Sequence, residues 1–304
     1  MLNRKVRDDL RGLCEKHGGR IVFDHPLCGH STISIGGNAS AWYMPASMEE
    51  LREAKKILDD SGIRTVVIGA GSNVLFPDKG LDAVVISLSA GAFREVRIEG
   101  NTVTAGAGAD MGGFISDCCA CGLAGLEGLA GIPATVGGAL VTNAAYRTAI
   151  SECLSRVLVL DAAGRAQWVG KKDIGFGYRF SSFDKRETIL QAVFRLNEVP
   201  AADLKKKLRG YFAEKMERQP LDKRTLGCVF KNPGQGEYTS GELIDRAGMK
   251  GHCRGGAKIS EKHANFIVNT GGAASADVAG LMDDARRKVS EAFSVELQPE
   301  IEIL

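Results

Sequence analysis

The sequence predicts an α+β fold that is built as two successive domains. The chain has 304 residues, which is more than one ordinary domain contains. Short β-branched runs are interspersed with a few amphipathic segments, a pattern typical of strands with scattered helices. A long charged helix, predicted over residues 202–218, separates the two parts. We therefore expect a first domain over residues 1–200, in two α+β subdomains that meet near residue 90, and a smaller α+β domain over residues 201–304.

Periodicity and turn residues indicate the individual elements. Ser47-Met48-Glu49-Glu50 has the form of a capping box and predicts a helix that ends near Gly62. Further helices are predicted over residues 111–121, 240–247 and 275–293. Strands are predicted over residues 65–69, 83–88, 188–196, 264–269 and 296–304, and hairpins over residues 95–105 and 156–169.

Composition and charge narrow the classes of partner. The net charge is +2 and Lys and Arg are spread along the chain, so nothing indicates binding to nucleic acid or to an anionic membrane. The chain contains no stretch of about 18 apolar residues. Its charged N-terminal segment lacks the apolar core of a signal peptide. We expect a cytoplasmic protein with a small-molecule partner; its oligomeric state stays open, with a monomer favoured.

Eight cysteines lack the spacing of a disulfide framework or of paired metal-binding motifs. Cys118, Cys119 and Cys121 are close in sequence, but they fall on a predicted helix, where adjacent side chains point to different faces. We interpret the cysteines as buried small hydrophobic residues in a reducing compartment, and we expect no metal site.

The segment from Gly122 to Tyr146 is the most informative part of the chain. Six glycines lie between Gly122 and Gly138, among apolar residues and a single charge, Glu127. Such a segment is too rich in glycine for a stable helix and too apolar for a flexible linker. The glycines indicate backbone with φ > 0, or backbone that lies close to a flat or anionic group. The alternative is a set of tightly packed turns in a large core.

A second glycine-containing loop follows the predicted strand over residues 65–69. Its residues Gly69 to Asn73 could form a concave anion site from backbone N–H groups, with hydrogen bonds from Ser72 and Asn73. The loop lacks the third glycine of a Rossmann motif, and Pro77 argues against an immediate helix. It therefore favours a different dinucleotide-binding fold.

Several motifs in their order resemble the UDP-N-acetylenolpyruvoylglucosamine reductase family, in its shorter form. They are the segments 35–39, 69–75, 128–138, 178–181, 227–233 and 260–266, and the closing Gln298-Pro299-Glu300. The resemblance extends from about residue 26 to residue 303 and is most specific around Lys231 and at the C-terminal Pro-Glu. It implies a FAD-binding domain of the p-cresol methylhydroxylase type, followed by the smaller substrate-binding domain, whose C-terminal strand returns to the active site.

The resemblance also implies an activity. Members of this family use NADPH and FAD to reduce UDP-N-acetylglucosamine enolpyruvate to UDP-N-acetylmuramate for peptidoglycan synthesis, which affects cell shape and division. Reduction of an enolpyruvyl ether requires a hydride at the terminal alkene carbon and a proton at the neighbouring carbon. An enolate develops between these steps, so cationic or acidic groups must stabilise its carboxylate. Nothing in the sequence separately identifies an NADPH site.

By resemblance, Arg179 and Glu300 stabilise the enolate and Cys228 donates the proton. The residues implied to bind FAD are Gly69, Ala70, Gly71, Ser72, Asn73, Leu75, Ile132, Gly137, Gly138 and Asn143. Those implied to bind the nucleotide sugar are Tyr146, Arg179, Lys231, Asn232 and Lys262. Alternatives remain from the residues alone: Arg179 could be a surface cation, Glu300 could belong to an ordinary edge strand, and Lys231-Asn232 could be a simple turn.

Two features depart from the family pattern. Cys228 stands where the family usually has serine; a thiol, with an unperturbed pKa of about 8.5, is more acidic than an alcohol and a weaker hydrogen-bond donor. The segment Asn143-Ala144-Ala145-Tyr146-Arg147 also lacks a glycine or two that the family usually has around its tyrosine. Two other functions stay open: a flavin-dependent oxidase of a small alcohol or sugar, and a non-catalytic protein that binds flavin or a nucleotide sugar.

Overall fold

The computed structural model describes residues 2–234 and 237–304. The α-helices in these residues are α1 (Arg4–His17), α2 (Met48–Asp60), α3 (Met111–Ala120), α4 (Val136–Val141), α5 (Ala201–Arg218), α6 (Ser240–Arg246) and α7 (Ser275–Phe293). The strands are β1 (Arg20–Pro26), β2 (Asn38–Met44), β3 (Thr65–Ile68), β4 (Val74–Leu75), β5 (Leu81–Ser87), β6 (Val96–Glu99), β7 (Thr102–Gly106), β8 (Leu123–Ala124), β9 (Leu154–Leu160), β10 (Ala166–Gly170), β11 (Phe176–Gly177), β12 (Phe180–Ser181), β13 (Thr188–Arg195), β14 (Asn197–Glu198), β15 (Thr225–Cys228), β16 (Cys253–Arg254), β17 (Ala257–Ile259), β18 (Phe266–Asn269) and β19 (Glu302–Ile303). None of the helices in the described part of the chain combines the length and apolar character needed to span a bilayer.

The chain forms two compact units. Unit 1 comprises the chain up to His25, together with Ala39–Ala70 and Asp82–Phe212. It contains a four-stranded sheet in the order β1-β2-β5-β3, in which β3 and β5 are parallel, and a five-stranded antiparallel sheet in the order β10-β9-β13-β7-β6. Its hydrophobic core includes helix residues such as Leu51 and Phe114 and strand residues such as Phe194.

Unit 2 comprises Pro26–Asn38, Gly71–Leu81 and Ala213–Leu304. Its four-stranded antiparallel sheet has the order β15-β18-β17-β16, and α6 and α7 contribute Leu243, Leu281 and Val289 to a separate hydrophobic core. A second, two-stranded sheet pairs β19 with β4 in parallel. The two short segments before residue 82 therefore fold with the C-terminal third of the chain, and the chain passes between the units inside α5. The functional domain boundaries at residues 90 and 200 stay predictions.

Most of the predicted elements are confirmed, with ends shifted by a few residues. Of the two hydrogen bonds in the predicted capping box of α2, one is confirmed and the other is wrong. The Ser47 side chain accepts a hydrogen bond from the Glu50 amide at 3.2 Å, as expected. The Glu50 carboxylate instead accepts from the Tyr43 hydroxyl and the Ala46 amide, both at 2.8 Å. Because Glu50 is fully buried, these two donors replace the water that an exposed capping carboxylate would have.

The glycine-rich segment corrects a second expectation, because it contains the short helix α4. The Thr135 hydroxyl caps this helix by accepting from the Gly138 amide at 3.3 Å. Val136, Ala139 and Leu140 of the helix are buried in unit 1. Tertiary packing of these apolar residues therefore outweighs the low helix propensity of the two glycines.

The N-terminal helix α1 was not predicted, although its signals are present in the sequence. The Asn3 side chain accepts from the Val6 amide at 3.0 Å, and Gly18 ends the helix with a φ of 87°. Val6, Leu10 and Leu13 are its buried residues and have the spacing of one helix face. A cap, an apolar face and a terminal glycine were together sufficient to predict this helix.

The C-terminal strand is shorter than predicted. Only Glu302 and Ile303 form β19, and Pro299 makes a single bridge to Phe230. Pro299 lacks a backbone N–H group and so cannot donate to a strand ladder. The alternation of apolar and acidic residues over 300–303 therefore extends beyond the regular strand.

The cysteines only partly fit their interpretation as buried hydrophobic residues. Cys118 and Cys119 are buried in α3, and burial raises the pKa of these thiols to about 12 and about 11. Cys28, Cys121 and Cys253 are exposed, so the interpretation is wrong for them. All eight cysteines carry free thiols.

A residue distant in sequence caps the N-terminus of α7. Removing this cap tests how much it contributes to the stability of unit 2. The Ser275 amide donates to both oxygens of Asp78, at 2.9 and 2.8 Å, and the Ser275 hydroxyl donates to the same carboxylate at 2.7 Å. We expect Asp78→Ala to lower the free energy of unfolding by about 1–2 kcal/mol, the scale of a lost N-cap. Urea unfolding measures this change.

Asp8→Ala is the matched control, because Asp8 pairs only with Arg4 and Arg11 at an exposed face of α1 among its described ion pairs. Its expected effect is within about 0.5 kcal/mol. Equal losses in the two variants would show that Asp78 does not act as a cap.

Candidate active site

In unit 1, the end of β3 approaches the beginning of α4. A Cβ atom built on Gly69 would lie 2.5 Å from Thr135 Oγ1 and 3.7 Å from Gly138 Cα. Glycine at position 69 therefore permits this approach. The predicted cofactor residues Gly69 and Gly138 are therefore neighbours in the fold. Ala70, the next residue, is exposed.

The other glycines of the rich segment have two explanations. The Gly137 amide donates to the Ala107 carbonyl at 2.8 Å, and a Cβ on Gly137 would lie 3.0 Å from Ala107 Cβ, so this glycine permits close packing. Positive φ, the other expectation, is confirmed at Gly122, Gly125 and Gly131. Ile132, which follows, is half-buried.

The rest of the predicted diphosphate loop belongs to unit 2. Gly71 has a φ of 63°, and a Cβ there would collide with the carbonyl oxygen of His30. The Gly71 carbonyl accepts from the Thr32 amide at 3.1 Å. Ser72 and Asn73 are half-buried, whereas Leu75 is 1% exposed and lies in the core. The loop is therefore held against residues 30–32 of the same unit.

Ser31, beside this loop, was not predicted to be functional. Its side chain is 7% exposed, and its hydroxyl has no hydrogen-bond partner among the described residues. A buried hydroxyl without a partner is destabilising, and a bound ligand would satisfy it. The sequence offered no signal for this residue beyond its position before Thr32.

Arg179 lies in the tight turn between β11 and β12. It has a φ of 52°, which non-glycine residues seldom adopt, and its Nη1 donates to the Ala145 carbonyl at 3.1 Å. Its guanidinium carbon lies 5.5 Å from the ring centroid of Tyr178. The strained backbone and the hydrogen bond define where the charge lies, which an ordinary surface cation does not require.

Asn143 fastens the same hairpin to the end of α4. Its Nδ2 donates to the Gly177 carbonyl at 2.9 Å, and its φ is 44°. Its Oδ1 is buried and has no partner among the described residues. Asn143 can therefore position the Arg179 turn with one atom and accept a hydrogen bond from a ligand with the other.

In unit 2, the C-terminal segment holds Glu300 beside the end of β15. The Glu300 amide donates to the Val229 carbonyl at 2.8 Å, and the Asn73 Nδ2 donates to the Glu300 carbonyl at 3.2 Å. Cys228, the residue before Val229, is half-buried. The structure thus brings the Asn73 loop, the Cys228 segment and Glu300 together within this unit.

The predicted substrate residues of unit 2 already make hydrogen bonds within the protein. The Lys231 amide donates to the Gln298 carbonyl at 2.8 Å. Asn232 Oδ1 accepts from the Ser240 amide at 3.1 Å, so Asn232 also supports the beginning of α6. Lys262 Nζ donates to the Met216 carbonyl at 2.5 Å.

Asn265 supports the Cys228 segment and was missed as a positioning residue. Its side chain is 2% exposed and makes two hydrogen bonds with Phe230: Oδ1 accepts from the amide at 3.0 Å, and Nδ2 donates to the carbonyl at 2.8 Å. Next to it, His263 Nδ1 accepts from the Asn265 amide at 3.2 Å. Burial and the nearby Lys250 charge lower the pKa of His263, which favours a neutral, structural imidazole.

The predicted catalytic residues are divided between the two units. Arg179 belongs to unit 1 together with Asn143 and Tyr146, whereas Cys228 and Glu300 belong to unit 2. Tyr146 is half-buried and lies beside Arg147. Across residues 2–234 and 237–304, no group of three His, Cys, Asp or Glu side chains is arranged to hold a metal ion.

Comparison with known proteins first defines a class. Residues 39–170 match the family model described as "FAD binding domain". The chain is therefore a FAD-binding flavoprotein. Residues 219–304 match the model described as "UDP-N-acetylenolpyruvoylglucosamine reductase, C-terminal domain".

Whole-chain relatives then give the family. The UDP-N-acetylenolpyruvoylglucosamine reductase of Halalkalibacterium halodurans is 38% identical over 94% of this chain and 95% of its own. The Bacillus subtilis enzyme of the same name is 34% identical over 97% of each chain. The crystal structure of UDP-N-acetylenolpyruvylglucosamine reductase (MurB) from Thermus caldophilus matches with a TM-score of 0.79 and 32% identity, over 94% of this chain and 98% of that one.

The chain belongs to the UDP-N-acetylenolpyruvoylglucosamine reductase family. The predicted family is confirmed, as is the α+β fold with a FAD-binding domain and a smaller second domain. An oxidoreductase that contributes to peptidoglycan synthesis follows from this membership, and the relatives do not favour the oxidase or the non-catalytic alternative.

Proposed function

We propose that this protein is a FAD-dependent reductase that uses NADPH to convert UDP-N-acetylglucosamine enolpyruvate to UDP-N-acetylmuramate. The observation that carries the proposal is similarity over almost the whole chain to reductases of that name, at 38% identity for the Halalkalibacterium relative. The proposed location is the cytoplasm, where eight free thiols would stay reduced.

The described residues fit FAD in three respects. Gly69 is exposed where a Cβ would meet Thr135, and the buried Gly71 lets the loop turn against His30. The hydroxyl of Ser31 and Oδ1 of Asn143 are buried without a partner among the described residues. We assign the diphosphate to the loop from Gly69 to Asn73 and the flavin ring system to the segment from Ile132 to Gly138, with Asn143 as a further contact to FAD.

The chain's own residues then act on the substrate. FAD held by the residues assigned above would supply the hydride chemistry, with NADPH as the reductant. Arg179 holds the substrate carboxylate with its guanidinium, and that charge stabilises the enolate that develops there. Glu300 also flanks the carboxylate and stabilises the same enolate. The Cys228 thiol donates the proton to the carbon beside the carboxylate.

Four side chains are assigned to the nucleotide sugar in addition to Arg179. Tyr146 and Lys231 are proposed to contact it. Asn232 and Lys262 are proposed contacts that would have to share their side chains with Ser240 and with the Met216 carbonyl. Variants of these two residues should therefore change stability together with KM.

A charge placed in the loop tests the diphosphate assignment. Gly71→Asp would lose flavin for steric reasons alone, because any Cβ collides with His30. Ser72→Asp avoids that collision, and its carboxylate would repel a diphosphate. We expect it to weaken FAD binding by roughly tenfold to a hundredfold, after screening by solvent and salt. Fluorescence titration of the apoprotein with FAD measures the change.

Ser72→Asn is the matched control, since asparagine has the shape of aspartate without its charge. FAD affinity of Ser72→Asn should stay within a few-fold of the parent. If Ser72→Asp binds FAD as tightly as Ser72→Asn, the diphosphate lies elsewhere.

An assay of NADPH consumption tests the proposed function. With the enolpyruvyl nucleotide present, consumption should be sustained and should match the UDP-N-acetylmuramate formed. Without it, sustained consumption should require oxygen and should be slow. A rate that depends on oxygen and ignores the nucleotide would overturn the proposal in favour of an oxidase.

A further inference from the structure

The strand that carries Cys228 contains a β-bulge immediately before that residue. Thr225 of β15 pairs with Val268 of β18, and Cys228 pairs with Phe266. β15 thus advances three residues while β18 advances two, so β15 contains one extra residue. In a regular ladder Gly227 would lie opposite Phe266, and the bulge brings Cys228 to that position instead.

Gly227 supplies the backbone conformation of the bulge. Its φ is 79°, in the left-handed region that favours glycine, and a Cβ atom built there would have no atom outside the adjoining residues within 4 Å. Glycine is therefore needed for its conformation and not for space. Bulges often redirect a side chain beside an active site, and the side chain that follows this bulge is that of Cys228, the proposed proton donor.

The chain after Cys228 is held by Asn265, which directly precedes β18. The Asn265 carbonyl accepts from the Val229 amide at 2.9 Å. Its buried side chain accepts from the Phe230 amide at 3.0 Å and donates to the Phe230 carbonyl at 2.8 Å. The carboxamide therefore replaces a strand backbone and extends the ladder by one residue beyond β18.

Asn265 is itself fixed in position. Its amide donates to Nδ1 of His263 at 3.2 Å, and the Phe266 amide closes the same turn by donating to the His263 carbonyl at 3.0 Å. A Cβ on Gly241, in α6, would lie 2.8 Å from Cε1 of His263, so glycine there lets the imidazole pack closely. The carboxamide thus has a defined position beside the strand that carries Cys228.

We propose that Gly227 and Asn265 are positioning residues for proton donation by Cys228, and that they fix the direction of its thiol from the two sides of the residue. This inference rests on the proposed function. In the step that they support, the S–H bond of Cys228 breaks, and the electron pair of the enolate forms a C–H bond at the carbon beside the substrate carboxylate. The thiolate that remains regains a proton from solvent. A misplacement of about 1 Å can slow a reaction by about a hundredfold, so the backbone on both sides of the thiol matters for this step.

Gly227→Ala tests the bulge without a steric clash. We expect it to slow reoxidation of the bound flavin by the enolpyruvyl nucleotide by roughly tenfold to a hundredfold, and to leave flavin reduction by NADPH within about twofold of the parent. Anaerobic stopped-flow absorbance measures both steps. Gly248→Ala is the matched control, because Gly248 belongs to the same unit, has a φ of 73° and also has open space at its Cβ position. It should reoxidise at the parental rate.

Asn265→Ala tests the carboxamide and should slow reoxidation by a similar factor, again without an effect on flavin reduction. Thr225→Ala is its matched control, since Thr225 is buried in the same pair of strands and its hydroxyl donates to the Ile267 carbonyl at 2.7 Å. Urea unfolding compares the stabilities of the two variants. Asn265→Ser, whose hydroxyl can hydrogen-bond part of the freed backbone, replaces the alanine variant if that variant does not fold.

Combination with Cys228→Ala separates positioning from a general loss of structure. In the Cys228→Ala background, either substitution should slow reoxidation by at most about twofold more, because the side chain that it positions is absent. Undiminished slowing in that background, or single variants that reoxidise like their controls, would overturn the inference. A parent enzyme that does not turn over the enolpyruvyl nucleotide would instead refute the proposed function.

Discussion

Cys228→Ala is expected to slow reoxidation of the bound flavin by the enolpyruvyl nucleotide by roughly 10²–10⁴-fold, the contribution of a positioned general acid. Reduction by NADPH should be unchanged, because that half-reaction needs no proton at the substrate carbon. Cys228 is half-buried and precedes Val229, whose carbonyl accepts from the Glu300 amide at 2.8 Å. Stopped-flow absorbance separates the two half-reactions.

The chemistry of a thiol adds a pH test to this result. Only the protonated thiol can donate, so reoxidation in the parent should fall as alkaline pH ionises Cys228. Cys228→Ser should remain active without that alkaline decrease, and it should resist peroxide, which attacks thiolates. Bound substrate should protect the parent enzyme from peroxide.

Cys253→Ala is the matched control for these experiments. Cys253 is an exposed free thiol of the same unit, and its Sγ donates to the Gly251 carbonyl at 3.3 Å. It should behave as the parent in both half-reactions. A Cys228→Ala variant with the same kinetics as Cys253→Ala would show that Cys228 is a packing residue and that the proton has another source.

Arg179→Lys is expected to lower kcat by roughly two orders of magnitude or more, the scale of one preorganised donor lost from the transition state. Lysine keeps the charge but not the planar geometry that can both donate to the Ala145 carbonyl and hold a carboxylate. Flavin reduction by NADPH should be largely preserved, since no enolate develops in that step. Stopped-flow comparison of the two half-reactions measures this selectivity.

Arg195→Lys provides the control, because the Arg195 guanidinium donates to Asn101 Oδ1 at 3.0 Å on an exposed part of unit 1. Its turnover should match that of the parent. If Arg179→Lys slows both half-reactions equally, Arg179 mainly organises the site and does not act on the enolate.

The local elements of the fold could be predicted because their determinants are close in sequence. The cap of α2, the hairpin of β6 and β7 and the periodicity of α7 are each specified by residues within or next to the element. The helix α4 could not be predicted in this way. Its stability comes from burial of Val136 and Leu140 in unit 1, which glycine content does not reveal.

The non-local parts of the site depended on the family resemblance. Asn73 meets Glu300 through a side-chain hydrogen bond, and β4 pairs with β19, although these residues lie near opposite ends of the chain. Pairings of this length follow from tertiary packing and have no local signal. The resemblance indicated which residues matter, whereas Ser31 and Asn265 became visible only through their burial and hydrogen bonding.

The most direct test of the proposed reaction is a single turnover in the absence of oxygen. Enzyme reduced with one equivalent of NADPH is mixed with UDP-N-acetylglucosamine enolpyruvate in deuterated water. The account predicts rapid return of the oxidised flavin absorbance and formation of UDP-N-acetylmuramate with solvent deuterium at the carbon beside the carboxylate. Reduced flavin that persists until oxygen is admitted, with no nucleotide product, would contradict it.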